Sequence, residues 1–199
     1  MEVVKMAIRE FMGLGVPAFK RFYKDSKKTN TNMKDRCYWA EKEDDTYFCD
    51  GYMIIRFKNT SLSQVAKAFD LAYDDMPNID KPAQDLAKVF SGFNPFEYDP
   101  AYVSPWSCAC KRGGCKESGF AKFITNAKSY CLIDEKFLSP FLGLYPRIKG
   151  ENTGIMFQYG FDDAMTAFIL PVRPDKENAA IYKAIQEKVM KKVEDAKNA

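Results

Sequence analysis

The chain has 199 residues, 46% of them apolar and 15% aromatic, and its 30 Lys and Arg against 27 Asp and Glu give a net charge of +3. This composition excludes intrinsic disorder, and the charge is too small to indicate nucleic-acid binding by itself. Histidine is absent, which excludes Ser/His and Cys/His catalytic arrangements and Cys₂His₂ zinc fingers.

The N-terminal segment is unlike a signal peptide, because Lys5, Arg9 and Glu10 interrupt its apolar residues. No segment approaches the roughly 20 apolar residues that span a bilayer. We therefore expect a cytoplasmic protein without a membrane partner.

The N-terminal pattern predicts helices over 2–12 and 16–25, separated by Gly13-Leu14-Gly15, with Phe19, Phe22 and Tyr23 on one face of the second helix. Three strands are predicted next, and Asp50-Gly51 predicts a type I′ turn between the last two. The strands are Cys37–Glu41, Thr46–Cys49 and Tyr52–Phe57.

Residues 58–127 have a different character. Ser61 with Gln64 is typical of a capping box and predicts a helix to about Met76. A second helix is predicted after Lys81-Pro82. Residues 92–120 contain Pro, Gly and Cys and predict an irregular loop.

The C-terminal third again has regular patterns. They predict a strand, a helix with Asp134 as its N-cap that runs to about Tyr145, two strands and a final helix over 175–197. The strands are Ser129–Ile133, Ile155–Tyr159 and Met165–Val172, and the apolar stripe of the last helix is Ile181, Ile185, Val189 and Val193. We predict an α+β fold with mainly antiparallel strands.

Several of these segments resemble bacterial DNA sliding clamps, the ring-shaped processivity factors of replication. Phe48–Met53 resembles the clamp stretch A-T-D-G-H-R-L, and Cys131–Leu144 resembles the clamp strand that leads into a helix. Ile155–Gln158 and Met165–Arg173 resemble the closing strands, and the resemblance covers about half of the chain. It implies a single clamp-like module of antiparallel sheet and two helices, of the kind found in a phage or mobile-element relative.

The implied domain organisation is a module formed by 1–57 and 128–174, an inserted helical and Cys-containing lobe over 58–127, and a C-terminal helix over 175–199. In clamps the corresponding residues line an apolar pocket for short peptides of polymerases. The pocket halves come from different modules there, so a single module implies self-association into a homo-oligomer. The implied partner-binding residues are Gly51, Tyr52, Met53, Leu170, Pro171 and Val172.

The resemblance also implies DNA binding, because clamps hold DNA phosphates with basic side chains on their helices. The residues that would do so here are Lys5, Arg9, Lys20, Arg21 and Lys24. From the residues alone, a solvated helix face is the interpretation that we favour for this basic stretch. Tyr98, Tyr102 and Trp106 near Lys111 and Arg112 are consistent either with stacking of single-stranded bases or with anchoring of a long loop, and we favour the anchor.

Clustered cysteines indicate a structural zinc site as an alternative to ordinary thiols. Cys108, Cys110 and Cys115 are close in sequence, and the glycines at 113 and 114 allow their sulfurs to converge. The fourth ligand must be another cysteine or a carboxylate, with Cys131 as our candidate and Cys37, Cys49 and Glu117 as the others.

The sequence favours a non-enzymatic binding protein over an enzyme. The first hypothesis is a replication-associated clamp-like factor that binds peptide motifs of a protein partner, DNA, or both. The alternative is a phage-type inhibitor in the host cytoplasm that binds a host nuclease or defence complex.

Overall fold

The structure is a computed structural model, and it describes residues 10–29, 37–76, 79, 84–91, 94–111, 118–141, 143–150, 153–160, 165–172 and 179–198. Within these residues the chain forms four α-helices and twelve strands in antiparallel sheets, which confirms the predicted α+β class. None of these helices combines the length and the apolar character needed to cross a membrane.

The helices are α1 (Val16–Thr29), α2 (Leu62–Phe69), α3 (Gln84–Ser91) and α4 (Ala179–Lys197). The strands are β1 (Glu10–Phe11), β2 (Leu14–Gly15), β3 (Tyr38–Lys42), β4 (Asp45–Cys49), β5 (Met53–Phe57), β6 (Asp99–Pro100), β7 (Tyr102–Lys111), β8 (Ser118–Thr125), β9 (Tyr130–Asp134), β10 (Pro146–Ile148), β11 (Ile155–Tyr159) and β12 (Met165–Ile169).

The chain forms two compact units, and each is assembled from three separate segments. The first unit consists of Met1–Phe93, Ser139–Leu144 and Gln158–Ala167. The second consists of Asn94–Leu138, Tyr145–Phe157 and Phe168–Ala199. Of the segment 58–127, α2 and α3 therefore belong to the first unit, and β7 and β8 to the second.

The sheet of the first unit begins with the antiparallel strands β3, β4 and β5, which agree with the three predicted strands within one residue at each end. Its strand order continues with β12 and then β11. The predicted type I′ turn is wrong, because the turn is centred one residue later, on Gly51 and Tyr52. Only Gly51 has a positive φ, of 87°, whereas a type I′ turn needs two such residues.

The core of the first unit is an aromatic cluster that joins α1 to the sheet. Phe19, at the centre of the inner face of α1, has its ring centroid 4.4 Å from that of Phe69 and 5.7 Å from that of Phe48. The hydroxyl of Tyr23 accepts a hydrogen bond of 3.1 Å from Trp39 Nε1 and donates one of 2.7 Å to the carbonyl of Asp75. Burial raises the pKa of Tyr23, so this hydroxyl stays protonated and able to donate.

The predicted capping box at the start of α2 is confirmed. The side chain of Ser61 accepts a hydrogen bond from the N–H of Gln64, and the side chain of Gln64 accepts one of 2.8 Å from the N–H of Ser61. However, α2 ends earlier than predicted, at Phe69, because Asp70 adopts a left-handed conformation with φ of 50°. A left-handed residue directly after the last turn is a common helix C-terminus.

The helix predicted over 2–12 is wrong in its last part, because β1 and β2 form a small antiparallel hairpin there. Residues 2–9 lie outside the described residues. The turn of this hairpin has positive φ angles at Met12 and Gly13. A Cβ atom at Gly13 would lie only 2.6 Å from the ring of Tyr159, so this close approach requires glycine.

In the second unit, the segment predicted as an irregular loop forms the long hairpin of β7 and β8, so the loop prediction is wrong. The prolines in this segment led to the loop prediction, because proline interrupts the hydrogen-bonding ladder of a regular strand. Pro105 lies where the β7–β8 register shifts, between Val103 and Ser107, and this irregularity accommodates it. With β9, the hairpin forms a three-stranded antiparallel sheet. Outside that sheet, β10 pairs antiparallel with β6 on one side and with β11 on the other.

The helix predicted from Asp134 to Tyr145 does not form. The side chain of Asp134 caps the chain as expected, by accepting from the N–H of Lys136, but only two short 3₁₀ turns follow, Glu135–Phe137 and Ser139–Phe141. Pro140 explains the difference, since proline lacks the N–H of an α-helical hydrogen bond and its ring clashes with the preceding turn. The second helix of the expected clamp-like module is therefore replaced by 3₁₀ turns.

The predicted C-terminal helix is confirmed as α4, and it packs on the three-stranded sheet. Its buried Tyr182 has its ring centroid 5.3 Å from that of Phe123, in an apolar cluster to which Ile185 and Val172 also contribute. The predicted stripe is wrong at its first member, because Ile181 is 56% exposed. Tyr182 takes its place one residue later.

We predict that Tyr182→Ala will lower the free energy of unfolding by about 3 kcal/mol, because it leaves a cavity among packed aromatic rings. Ile181→Ala should change it by less than about 0.5 kcal/mol, since this side chain is mostly solvated. Urea unfolding monitored by circular dichroism measures both. Equal effects of the two substitutions would contradict the observed orientation of α4.

Candidate functional site

The first predicted partner-binding segment is the turn between β4 and β5. The buried carboxylate of Asp50 accepts hydrogen bonds from the N–H groups of Tyr52, at 2.9 Å, and Met53, at 2.7 Å. The Met53 side chain is fully buried, and that of Tyr52 is 42% exposed. Of the predicted residues Gly51, Tyr52 and Met53, only Tyr52 presents a large exposed side chain.

The second predicted segment follows β12. The N–H of Val172 donates a hydrogen bond of 2.8 Å to the carbonyl of Leu132 in β9, and its side chain packs on the apolar cluster under α4. Pro171 is half-buried, and Leu170 is 57% exposed. Leu170 is therefore the residue of this segment that is available to a partner.

The six predicted residues are divided between the units, with Gly51, Tyr52 and Met53 in the first and Leu170, Pro171 and Val172 in the second. Each segment offers one exposed apolar side chain on a backbone fixed by hydrogen bonds. A single pocket formed by all six residues stays a prediction.

The predicted DNA-binding residues that the structure describes lie on α1. Arg21 and Lys24 are exposed on the side opposite the buried Phe19 and Tyr23, and Lys20 is half-buried. The ammonium of Lys20 forms an exposed ion pair of 3.0 Å with Asp70. Lys5 and Arg9 lie outside the described residues.

Of the predicted zinc ligands, positions 108 and 110 lie in β7 and Cys131 lies in β9. Cys115 and the side chains of Cys108 and Cys110 lie outside what the structure describes, and no cluster suited to a metal is found among the described residues. Cys131 is fully buried in β9, and its thiol donates a hydrogen bond to the carbonyl of Gly150.

The strand register relates the cysteine positions to one another. Position 108 pairs with Ala121, which pairs on its other side with Asp134, whereas Cys131 pairs with Ile124. Residues three apart in a strand lie on opposite faces of the sheet. Position 108 therefore shares a face with Asp134, and Cys131 lies on the other face.

A group of contacts that the sequence did not predict lies between β7 and α4. The ammonium groups of Lys188 and Lys192 lie 5.5 and 6.0 Å from the ring centroid of Trp106, and that of Lys197 lies 5.8 Å from that of Tyr102. We call these five residues the lysine–aromatic surface. Tyr98 is not part of it, since its ring packs against Phe168 at 6.0 Å.

The sequence did contain a signal for part of this surface. Tyr102 and Trp106 belong to one strand, but the loop prediction for 92–120 concealed their spacing. The sequence also indicated nearby cations for them, Lys111 and Arg112, whereas the contacting lysines lie about 80 residues further along the chain.

Comparisons with known proteins identify no relationship: no family model matches the chain, and no curated protein or solved structure is significantly similar to it. The resemblance to sliding clamps accordingly stays a prediction that rests on the residues quoted above.

We predict that protein purified without chelator will contain about one zinc per chain by elemental analysis, bound through Cys108, Cys110 and Cys115. Cys108→Ser and Cys115→Ser should each remove the metal and lower the melting temperature. Cys131→Ser should retain it, because residue 131 lies on the other face of the sheet. Protein that contains no zinc, with melting temperatures unchanged in Cys108→Ser and Cys115→Ser, would show that these are ordinary thiols.

Proposed function

We propose that this chain is a non-enzymatic binding protein, a clamp-like factor associated with DNA replication that binds DNA phosphates and contacts a protein partner. The observation that carries the proposal is the division of α1 into two faces. One face is fixed in the aromatic core by Phe19 and Tyr23, and the other presents Arg21 and Lys24 to solvent.

The charge of α1 suits a phosphate backbone. The helix contains five Lys or Arg residues and one acidic residue, Asp25, and so has a net charge of +4. Lys20 is already partly neutralised by Asp70. Arg21 and Lys24, three residues apart, project from neighbouring turns of the helix, where they can contact adjacent phosphates.

The packing of α1 also favours binding. Because the aromatic cluster and the Tyr23–Trp39 hydrogen bond already fix the helix, only the exposed side chains need to become ordered when DNA binds. Because less conformational entropy is lost on binding, less of the favourable electrostatic free energy is offset, and the affinity is higher. The expected contacts are to phosphates, so binding should be independent of DNA sequence.

We predict that Arg21→Gln/Lys24→Gln will weaken binding to a duplex of about 20 base pairs roughly tenfold at low salt. The slope of log K against log salt should become shallower by about 0.9 for each phosphate contact that is lost. Fluorescence anisotropy between about 50 and 200 mM salt measures both quantities.

The control for charge is Lys42→Gln/Lys88→Gln, which removes two positive charges elsewhere in the first unit. It should change the affinity less than about twofold. If the unmodified protein does not bind the duplex, or if the two double variants are equally weakened, α1 is not a DNA-binding surface.

A protein-binding function is the second candidate, and the exposure of Tyr52 and Leu170 favours it. Aromatic and large aliphatic side chains that are exposed on a fixed backbone are the usual anchors of protein interfaces. This function covers both a peptide motif of a replication protein and a host nuclease or defence complex that the chain would inhibit.

We predict that tagged protein will capture a defined partner from bacterial lysate, and that Tyr52→Arg or Leu170→Arg will abolish the capture because each buries an unpaired charge in the interface. Mass spectrometry identifies the partner and quantifies its loss. Tyr145→Arg is the control, since Tyr145 is 84% exposed outside both segments. Capture that survives both Tyr52→Arg and Leu170→Arg would assign the interface to other residues.

A further inference from the structure

The lysine–aromatic surface of the second unit has chemistry that neither the clamp resemblance nor α1 accounts for. Trp106 is half-buried and Tyr102 is 36% exposed, and both are on β7. Cations approach both rings from one helix, α4. We propose that this surface is a binding site for single-stranded nucleic acid, with bases stacked on Trp106 and Tyr102 and phosphates held by Lys188, Lys192 and Lys197.

The local backbone holds Trp106 in place. Its N–H donates a hydrogen bond of 3.0 Å to the side-chain oxygen of Ser104, which is buried. The preceding carbonyl, of Pro105, accepts one of 3.0 Å from Lys122. The irregularity in β7 therefore has a defined geometry, and a fixed aromatic ring loses little entropy when a base stacks on it.

The arrangement of the lysines favours an anionic ligand. Lys188 and Lys192 are four residues apart on α4, so their ammonium groups lie on the same side of the helix, and like charges at this spacing repel each other. No carboxylate among the described residues forms an ion pair with either of them. A phosphate between the two ammonium groups would relieve their repulsion.

The spacing of the two rings suits a strand rather than a single nucleotide. Tyr102 and Trp106 are four residues apart on β7, and their cations come from different turns of α4, Lys197 for Tyr102 and Lys188 with Lys192 for Trp106. Two stacking platforms with interspersed cations are typical of proteins that bind single strands without sequence preference. A duplex is a poorer ligand, because its bases are already stacked on each other.

The site is independent of the DNA-binding function proposed for α1, which belongs to the first unit. Oligothymidylate and oligouridylate of about 16 nucleotides are suitable probes, and an abasic strand of equal length and charge separates stacking from phosphate binding. We expect micromolar or tighter binding of the thymidylate or uridylate strand, and the tighter of the two identifies DNA or RNA as the ligand. The abasic strand should bind about tenfold more weakly.

The variants test the named residues. Trp106→Leu and Lys188→Gln/Lys192→Gln should each weaken binding about tenfold, and only the lysine variant should reduce the salt dependence. Lys183→Gln/Lys191→Gln is the matched control, because it removes two exposed positive charges from the same helix without touching either ring. Arg21→Gln/Lys24→Gln should leave single-strand binding unchanged, which separates this site from α1.

Tryptophan fluorescence gives a measurement on the unmodified protein, in case Trp106→Leu disturbs the packing of α4. Trp39 is fully buried, so quenching by a bound base reports Trp106. The thymidylate strand should quench the emission and the abasic strand should not. The proposal is wrong if no single strand binds, if the abasic strand binds and quenches equally, or if the two lysine variants are equally weakened. If no single strand binds, the lysines only fasten α4 to β7.

Discussion

The aromatic packing around Phe19 determines which face of α1 the first unit exposes to solvent. Phe19 and Tyr23 leave α1 no freedom to rotate about its axis, because one ring is enclosed by Phe48 and Phe69 and the other is hydrogen-bonded on both sides of its hydroxyl. The direction of the α1 basic residues follows from this constraint. The second unit uses the same principle, since Tyr182 between Phe123 and Tyr130 fixes the rotation of α4.

Elements specified by neighbouring residues could be predicted from the sequence. The capping box at Ser61 and the strands β3 to β5 depend on side chains a few residues apart, and both are confirmed. Two of the errors, over 92–120 and 134–145, arise at proline. Pro140 excludes an α-helix that the apolar spacing favoured, whereas Pro105 is tolerated inside a strand because the partner strand shifts its register there. Whether a proline ends an element depends on the neighbouring strand, which the local sequence does not contain.

The candidate sites also differ in whether the local sequence could predict them. The basic character of α1 could be predicted from the sequence, because its Lys and Arg residues lie on consecutive turns of one helix. The contact of Trp106 with Lys188 depends on how α4 lies across β7, and no local pattern encodes it. The exposure of Tyr52 depends on a local contact instead: Tyr52 and Met53 are neighbours in sequence, yet the buried Asp50 carboxylate turns the chain so that only Tyr52 reaches solvent.

The assembly of each unit from three segments has a consequence for biosynthesis. The ribosome makes the chain from its N-terminus, and the first unit draws its last strands from residues 158–167. Until that point has been translated, β5 lacks its neighbour β12 in the sheet order, and one of its edges can pair with other chains. Folding of this unit during synthesis is therefore delayed until residues 158–167 have been made, and a nascent chain held by a chaperone over that interval would be protected from aggregation.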